Sequence, residues 1–120
     1  MTAKVLMAAT MAVTFSMLPA MAQGFTQVTE KDAFMQLISG KQLTRFGISL
    51  DVRDEGTIEG RAFGRKVTGA WDWQNGYFCR VMYWGKTEIA QNCQEVRVDG
   101  DMVRFTSDQG TGDFADLRMK

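Results

Sequence analysis

The chain has no histidine, a single proline, two cysteines and no surplus of either charge, with fourteen basic residues against fourteen acidic ones. Without histidine it lacks the side chain most often used as a general acid or base near neutral pH. With only Cys79 and Cys93 it cannot assemble a four-ligand site of the thiolate or imidazole kind. The charge balance gives no net field to draw the chain to nucleic acid or to anionic lipid, and the signs alternate without forming blocks. No cofactor, metal or nucleic-acid partner is therefore expected.

Enzymatic motifs are equally sparse. Gly60, Gly64 and Gly69 do not form G-x-G-x-x-G and no helix follows them, which excludes a dinucleotide-binding loop on spacing and on context. They read as places where a sheet bends or where a bulky neighbour such as Trp71 needs room. Ser39, Ser49 and Ser107 lie outside G-x-S-x-G and have no evident base beside them. Asp51 with Asp54, and Asp113 with Asp116, are the carboxylate pairs that hydrolysis would need. Asp51 points outward on strand alternation and Asp54 opens a turn, so solvated surface accounts for them. No specific reaction is supported.

The first residues do carry a signal. MTAKVLMAATMAVTFSMLPAMAQ has one positive charge at Lys4, an apolar stretch from Val5 to Leu18, the breaker Pro19, and small residues at Ala20 and Ala22. That is the order of a secretory signal peptide. The stretch is shorter than the roughly 20 residues of a membrane-spanning helix and contains Thr10, Thr14 and Ser16. Residues 1–22 are expected to be removed, leaving a single domain over residues 23–120 in the periplasm or outside the cell, with no membrane span. Removal takes the only proline and five of the nine methionines and leaves thirteen basic against fourteen acidic residues. In an exported chain two cysteines favour a disulfide over free thiols. A bridge closing a loop of this size contributes on the order of 3 kcal/mol in the chain-entropy model.

One helix is legible. Thr29 can cap it, Asp32 follows three residues later, Phe34, Leu37 and Ile38 form an apolar stripe, and Gly40 stops it. It is expected to lie on or plug a sheet. Beyond Gly40, turn signals recur at short spacing: Asp54-Glu55-Gly56, Gly64, Asn75-Gly76, Gly85-Lys86, Asp99-Gly100 and Gly110-Thr111-Gly112. The runs between them alternate, as in Ile48, Leu50, Val52 or Val67, Gly69, Trp71, Trp73. Connections this short join antiparallel neighbours. The expected fold is mainly β: an antiparallel meander of about seven or eight strands curled into a small barrel or half-barrel, roughly lipocalin-like, with one short N-terminal helix.

Register follows from three turns. A two-residue turn at Asn75-Gly76 sets Trp73 opposite Phe78, Trp71 opposite Arg80 and Gly69 opposite Met82. A cross-strand disulfide sets Cys79 opposite Cys93, and with it Arg80 opposite Asn92 and Phe78 opposite Gln94. A turn at Asp99-Gly100 pairs Val96 with Val103 and Gln94 with Phe105. One face then collects Val67, Gly69, Trp71, Trp73, Phe78, Met82, Ala90, Val96, Val98, Val103 and Phe105. This is the expected interior, subject to inversion wherever a β-bulge intervenes. Arg80, Asn92 and Gln94 fall on the same side beside Trp71 and Trp73. A buried guanidinium must stack, bond to neighbours, meet an acid or reach the rim. Either Arg80 belongs to a satisfied polar network, or it holds the anionic or carbonyl group of a small ligand whose apolar part the tryptophans cover.

The stretch from Val67 to Gln94, with G-x-W-x-W-x-N-G-Y-F-C-R and N-C-Q, followed by V-x-V-x-G-D-x-V-R-F and the ending G-x-G-D-F-A-D, resembles a group of small secreted alphaproteobacterial proteins. Some of these carry the label dihydrodipicolinate reductase. The resemblance spans nearly the whole mature chain and implies the β fold and the export. The nicotinamide loop of a reductase has no counterpart here, and the resemblance brings no catalytic residues to carry over. Two readings of function lead, with an enzyme working through a carboxylate or an arginine as a third and weaker one. In one, the domain binds a small amphipathic ligand between Trp71, Trp73, Phe78, Arg80, Asn92 and Gln94. In the other, it acts by its surface, as an envelope partner or an inhibitor, through Tyr83 and Trp84 at a hairpin tip.

Overall fold

The computed structural model describes Gly24–Lys120; residues 1–23, on which the signal-peptide expectation falls, lie outside the described residues. The elements run β1 (Thr26–Val28), α1 (Lys31–Ile38), β2 (Leu43–Arg45), β3 (Ile48–Val52), β4 (Thr57–Ala62), β5 (Arg65–Gln74), β6 (Tyr77–Trp84), β7 (Thr87–Asp99), β8 (Met102–Thr106), α2 (Ser107–Gly110) and β9 (Phe114–Met119). Asp108 and Gln109 within α2 are left-handed, so it is a kinked turn rather than a regular helix. Strands β2 to β9 form a closed antiparallel barrel in which β7 pairs with both β6 and β8. β1 is an extra strand, laid against Val96–Val98 of β7 beyond the stretch that β6 occupies. The expected β fold is therefore present as a full barrel, which leaves none of its eight strands as a free edge.

The tight turns form where the sequence asks for them. Asn75 and Gly76 both have positive φ, at 52° and 86°, the combination a two-residue hairpin of matching twist requires. Across it Trp73 faces Phe78, Trp71 faces Arg80 and Gly69 faces Met82, and in the next hairpin Cys79 faces Cys93, to which it is disulfide-bonded. Two registers differ from expectation. The β7–β8 turn lies at Gly100-Asp101, so Val98 faces Val103 and Val96 faces Phe105. The slip is two residues, which preserves every residue's face. Between Arg80 and Met82 the β6–β7 ladder is bulged: Arg80 pairs with Asn92, but Met82 pairs with Ile89. The extra residue in β7 inverts the strand beyond it, leaving Ala90 exposed where an interior position was expected.

Gly60 and Gly69 make room for backbone, not for Trp71. A Cβ at Gly60 would stand 2.0 Å from the Ser49 carbonyl oxygen, and one at Gly69 would stand 2.4 Å from that of Val81. These are corners where the sheet coils tightly enough to close.

Helix α1 plugs one end of the barrel. Its first residue follows Glu30, and Thr29 does not cap it; the Thr29 carbonyl instead accepts the indole N–H of Trp73 at 2.9 Å. Phe34 is fully buried, with ring centroids of Trp71, Trp73, Phe78 and Phe105 between 5.2 and 6.2 Å away. Trp71 donates its indole N–H to the Arg53 carbonyl at 2.7 Å, tying the β3–β4 turn to the same cluster. On the outer wall the Arg104 guanidinium carbon lies 4.0 Å from the ring centroids of both Phe25 and Phe114, and Arg104 bonds Asp116 across β8 and β9 at 2.8 and 3.0 Å.

Phe34→Ala is expected to cost about 3–5 kcal/mol, read as a lowered urea midpoint, because no neighbour can collapse into the space its ring fills. The hydrogen bonds from Arg104 hold the Asp116 carboxyl below its ordinary range. A carboxylate lowered on folding stabilises the protein above its unfolded pKa, and that contribution is lost as pH falls through the folded value. Asp116→Asn is expected to flatten the acid limb of a stability-against-pH curve measured by thermal unfolding.

Candidate functional site

The aromatic plug fills only one end. The remaining interior is a cavity of about 320 Å³ bounded by β2, β3, β4, β6, β7, β8 and β9, within the size range of small-molecule sites. Leu43, Ile48, Leu50, Met82, Phe105 and Leu117 supply much of its wall. Arg80 and Gln94 are polar groups set within it, and Arg45, Ser107 and Asp113 also line it, from the end where the β2–β3 and β8–β9 connections lie. Toward that end the wall continues as an apolar recess formed by Phe63, Val67, Trp84 and Ile89, which shares Ile48, Leu50 and Met82 with the cavity.

Arg80 is the unusual member. It is 8 % exposed, the one charged residue buried among the described residues. Its Nη1 donates to the Ala90 carbonyl at 2.7 Å, while its Nε is buried with no hydrogen-bond partner. The bulge explains the first contact: with Ala90 and Gln91 set against Val81 alone, the ladder is interrupted where Ala90 accepts Arg80. Among the described residues no carboxylate lies within ion-pair distance of Arg80. Burial lowers its affinity for the proton, yet a guanidinium stays charged in a protein. The cavity thus holds a cation whose desolvation is offset by one carbonyl and by no counter-charge.

Of the residues singled out by register, Phe78, Arg80 and Gln94 come together at the cavity. Trp71 and Trp73 lie on the plug side, packed on Phe34 with their indoles bonded to Arg53 and Thr29. Asn92 turns to the β8–β9 connection, where its amide donates to the Asp108 carboxylate at 2.8 Å and its carbonyl accepts the Asp108 amide at 2.9 Å. Gln94 reaches toward the Ser107 hydroxyl at 3.4 Å in the same connection. Tyr83 is 41 % exposed on the outer wall. Trp84 is half-buried, donating to the Ala62 carbonyl at 2.7 Å beneath the guanidinium of Arg65, 4.6 Å from its ring. The wall residues Leu43 and Leu117 carry no local signal, because β2 and β9 are paired to each other by residues far apart in the chain.

Compared with protein-family models, with curated proteins and with solved structures, the chain matches none.

Asn92 satisfies the left-handed Asp108 in a connection that forms one side of the cavity entrance. Asn92→Ala is expected to destabilise the protein by about 1 kcal/mol. The same change should speed hydrogen exchange at the Asp108 amide while the amides of β5 and β6 stay protected.

Proposed function

We propose that the protein is an exported binding module for a small amphipathic ligand, with Arg80 anchoring an anionic or carbonyl group and the barrel wall covering the apolar part. The carrying observation is the buried guanidinium, with no carboxylate among the described residues within ion-pair distance, in a largely apolar cavity. A charge so placed is costly, and a ligand carboxylate would satisfy it. The apolar part belongs against Leu43, Ile48, Leu50, Met82 and Leu117, in place of the tryptophans that sequence register suggested. The Cys79–Cys93 disulfide and the signal-like order of residues 1–22 support a periplasmic or secreted location. Action purely through the outer surface is the weaker reading, since such a protein has no need of an interior cation.

The test is displacement of a dansyl-labelled medium-chain fatty acid from the oxidised protein by unlabelled carboxylates and by the alcohols of equal chain length. Carboxylates are expected to compete at least tenfold better than the alcohols, and Arg80→Met to lose that preference. Without ligand, Arg80→Met should be as stable as the natural protein or more so by about 1 kcal/mol, because it removes an unpaired buried charge. Equal binding of carboxylate and alcohol, or unchanged binding by Arg80→Met, would sink the proposal.

A further inference from the structure

The end of the barrel opposite the plug is apolar at its tips and basic around them. Phe46 at the β2–β3 turn is 93 % exposed and Phe63 at the β4–β5 turn is 64 % exposed. The two turns touch: the Phe63 amide donates to the Gly47 carbonyl at 2.8 Å, and a Cβ on Gly47 would run into the Phe63 ring at 2.6 Å. The β6–β7 turn joins them, with the Gly85 amide bonded to the Lys66 carbonyl at 2.8 Å and Trp84 bonded to Ala62 at 2.7 Å. Three adjacent hairpin tips therefore form one surface around the apolar recess.

The same tips carry Arg61, Arg65, Lys66 and Lys86, all exposed. Among the described residues none of the four has a carboxylate within ion-pair distance. Arg61 and Lys66 face each other directly across β4 and β5, a like-charge pair that is unfavourable in isolation. The carboxylates at this end are Glu88, Glu95, Asp108 and Asp113, of which Glu95 is paired with Arg97 and Asp108 is bonded by Asn92. Overall neutrality thus conceals four unpaired cations gathered around exposed phenylalanines. Aromatic tips inside a basic collar suit an interface where apolar chains lie beneath anionic headgroups, and suit poorly a protein partner that would have to present an acidic rim around an aromatic pocket.

We infer that this end of the barrel docks on a lipid bilayer bearing anionic phospholipid headgroups, with Phe46 and Phe63 entering the interface and Arg61, Arg65, Lys66 and Lys86 meeting the phosphates. The inference goes beyond the ligand reading and does not depend on Arg80. It sets the cavity mouth against the membrane, where an amphipathic molecule enters or leaves without crossing water.

The experiment is co-sedimentation of the oxidised protein with vesicles of phosphatidylglycerol and phosphatidylcholine, beside vesicles of phosphatidylcholine alone. The protein is expected to bind the mixed vesicles and to be released as salt rises toward about 1 M, where the screening length is about 3 Å. Lys66→Gln should weaken binding about fivefold, the fold-change for one basic residue at an anionic surface. Phe46→Ser should weaken it by a similar factor or more, and its exposure makes the change harmless to folding. Brominated acyl chains should quench Trp84 and spare Trp71 and Trp73 at the plugged end, so Trp84→Phe removes the quenching. Arg80→Met should keep vesicle binding, which separates failure of this inference from failure of the ligand reading. Equal binding to both vesicle types, indifference to Lys66→Gln and Phe46→Ser, or a dimer in native mass spectrometry that Phe46→Ser abolishes would each overturn it.

Discussion

Eight strands closed into a barrel enclose a space that one ring of inward side chains only just fills, so what occupies the two ends decides whether a cavity exists. Here Phe34 settles the matter from outside the barrel. Its ring is delivered by a helix of eight residues and inserted among Trp71, Trp73, Phe78 and Phe105, concentrating the large aromatic volume at one end. Beyond the plug much of the wall is aliphatic, from Leu43, Ile48, Leu50 and Leu117, and these side chains leave the interior unfilled. The cavity is thus a consequence of unequal filling.

The bulge between Arg80 and Met82 is the second consequence-bearing feature. A regular ladder would continue Ile89 outward and Ala90 inward; the extra residue reverses both, bringing Ile89 to the apolar recess and Ala90 to solvent. It also coincides with the carbonyl that Arg80 uses. Without that acceptor the guanidinium would face the cavity with its donors unmet, a state expensive enough to unfold or rearrange a domain of this size. One irregularity therefore makes a buried cation tolerable and leaves part of its hydrogen-bonding capacity unspent.

How much of this was legible in the sequence depends on the range over which each feature is encoded. The hairpins at Asn75-Gly76 and around the disulfide are local, and their registers, down to Arg80 opposite Asn92 and Phe78 opposite Gln94, follow from turn chemistry and a covalent ruler. The turn at Gly100-Asp101 was misplaced by one position because Asp99-Gly100-Asp101 offers two centres of equal quality, and the pairing of Val98 with Val103 selects one of them. The bulge has no sequence signature in Ala90-Gln91 and follows from closure. Trp71 and Trp73 pack on Phe34 at the plugged end and do not line the cavity, a difference that alternation does not encode, since it gives a face and says nothing of height along the barrel axis. Height is what separates the plug from the cavity. The partner that claims the tryptophans, Phe34, is more than thirty positions away from either in the sequence.

The same distinction between sums and positions governs the electrostatics. Net charge is a property of the chain, whereas a field at a surface is set by the charges within a screening length of it, about 8–10 Å at ordinary salt. A barrel sorts residues by hairpin: alternate turns fall at opposite ends, so two charges a dozen residues apart are either neighbours or a full strand length from each other. Arg61, Arg65, Lys66 and Lys86 fall at the mouth beside Glu88, Asp108 and Asp113, whereas at the plugged end Asp54 and Glu55 share their turn with Arg53 and Asp101 is paired with Arg118. The acids at the plugged end thus have cations beside them, while the four cations at the mouth have no carboxylate among the described residues within ion-pair distance. An argument from neutrality to indifference toward anionic surfaces holds for a chain whose charges are all paired at that scale, and the four cations at the mouth are not. The cation buried at Arg80 and the cations around the mouth then act at different ranges: the outer ones on a surface through solvent, the inner one on a single group at contact distance in a low-dielectric interior.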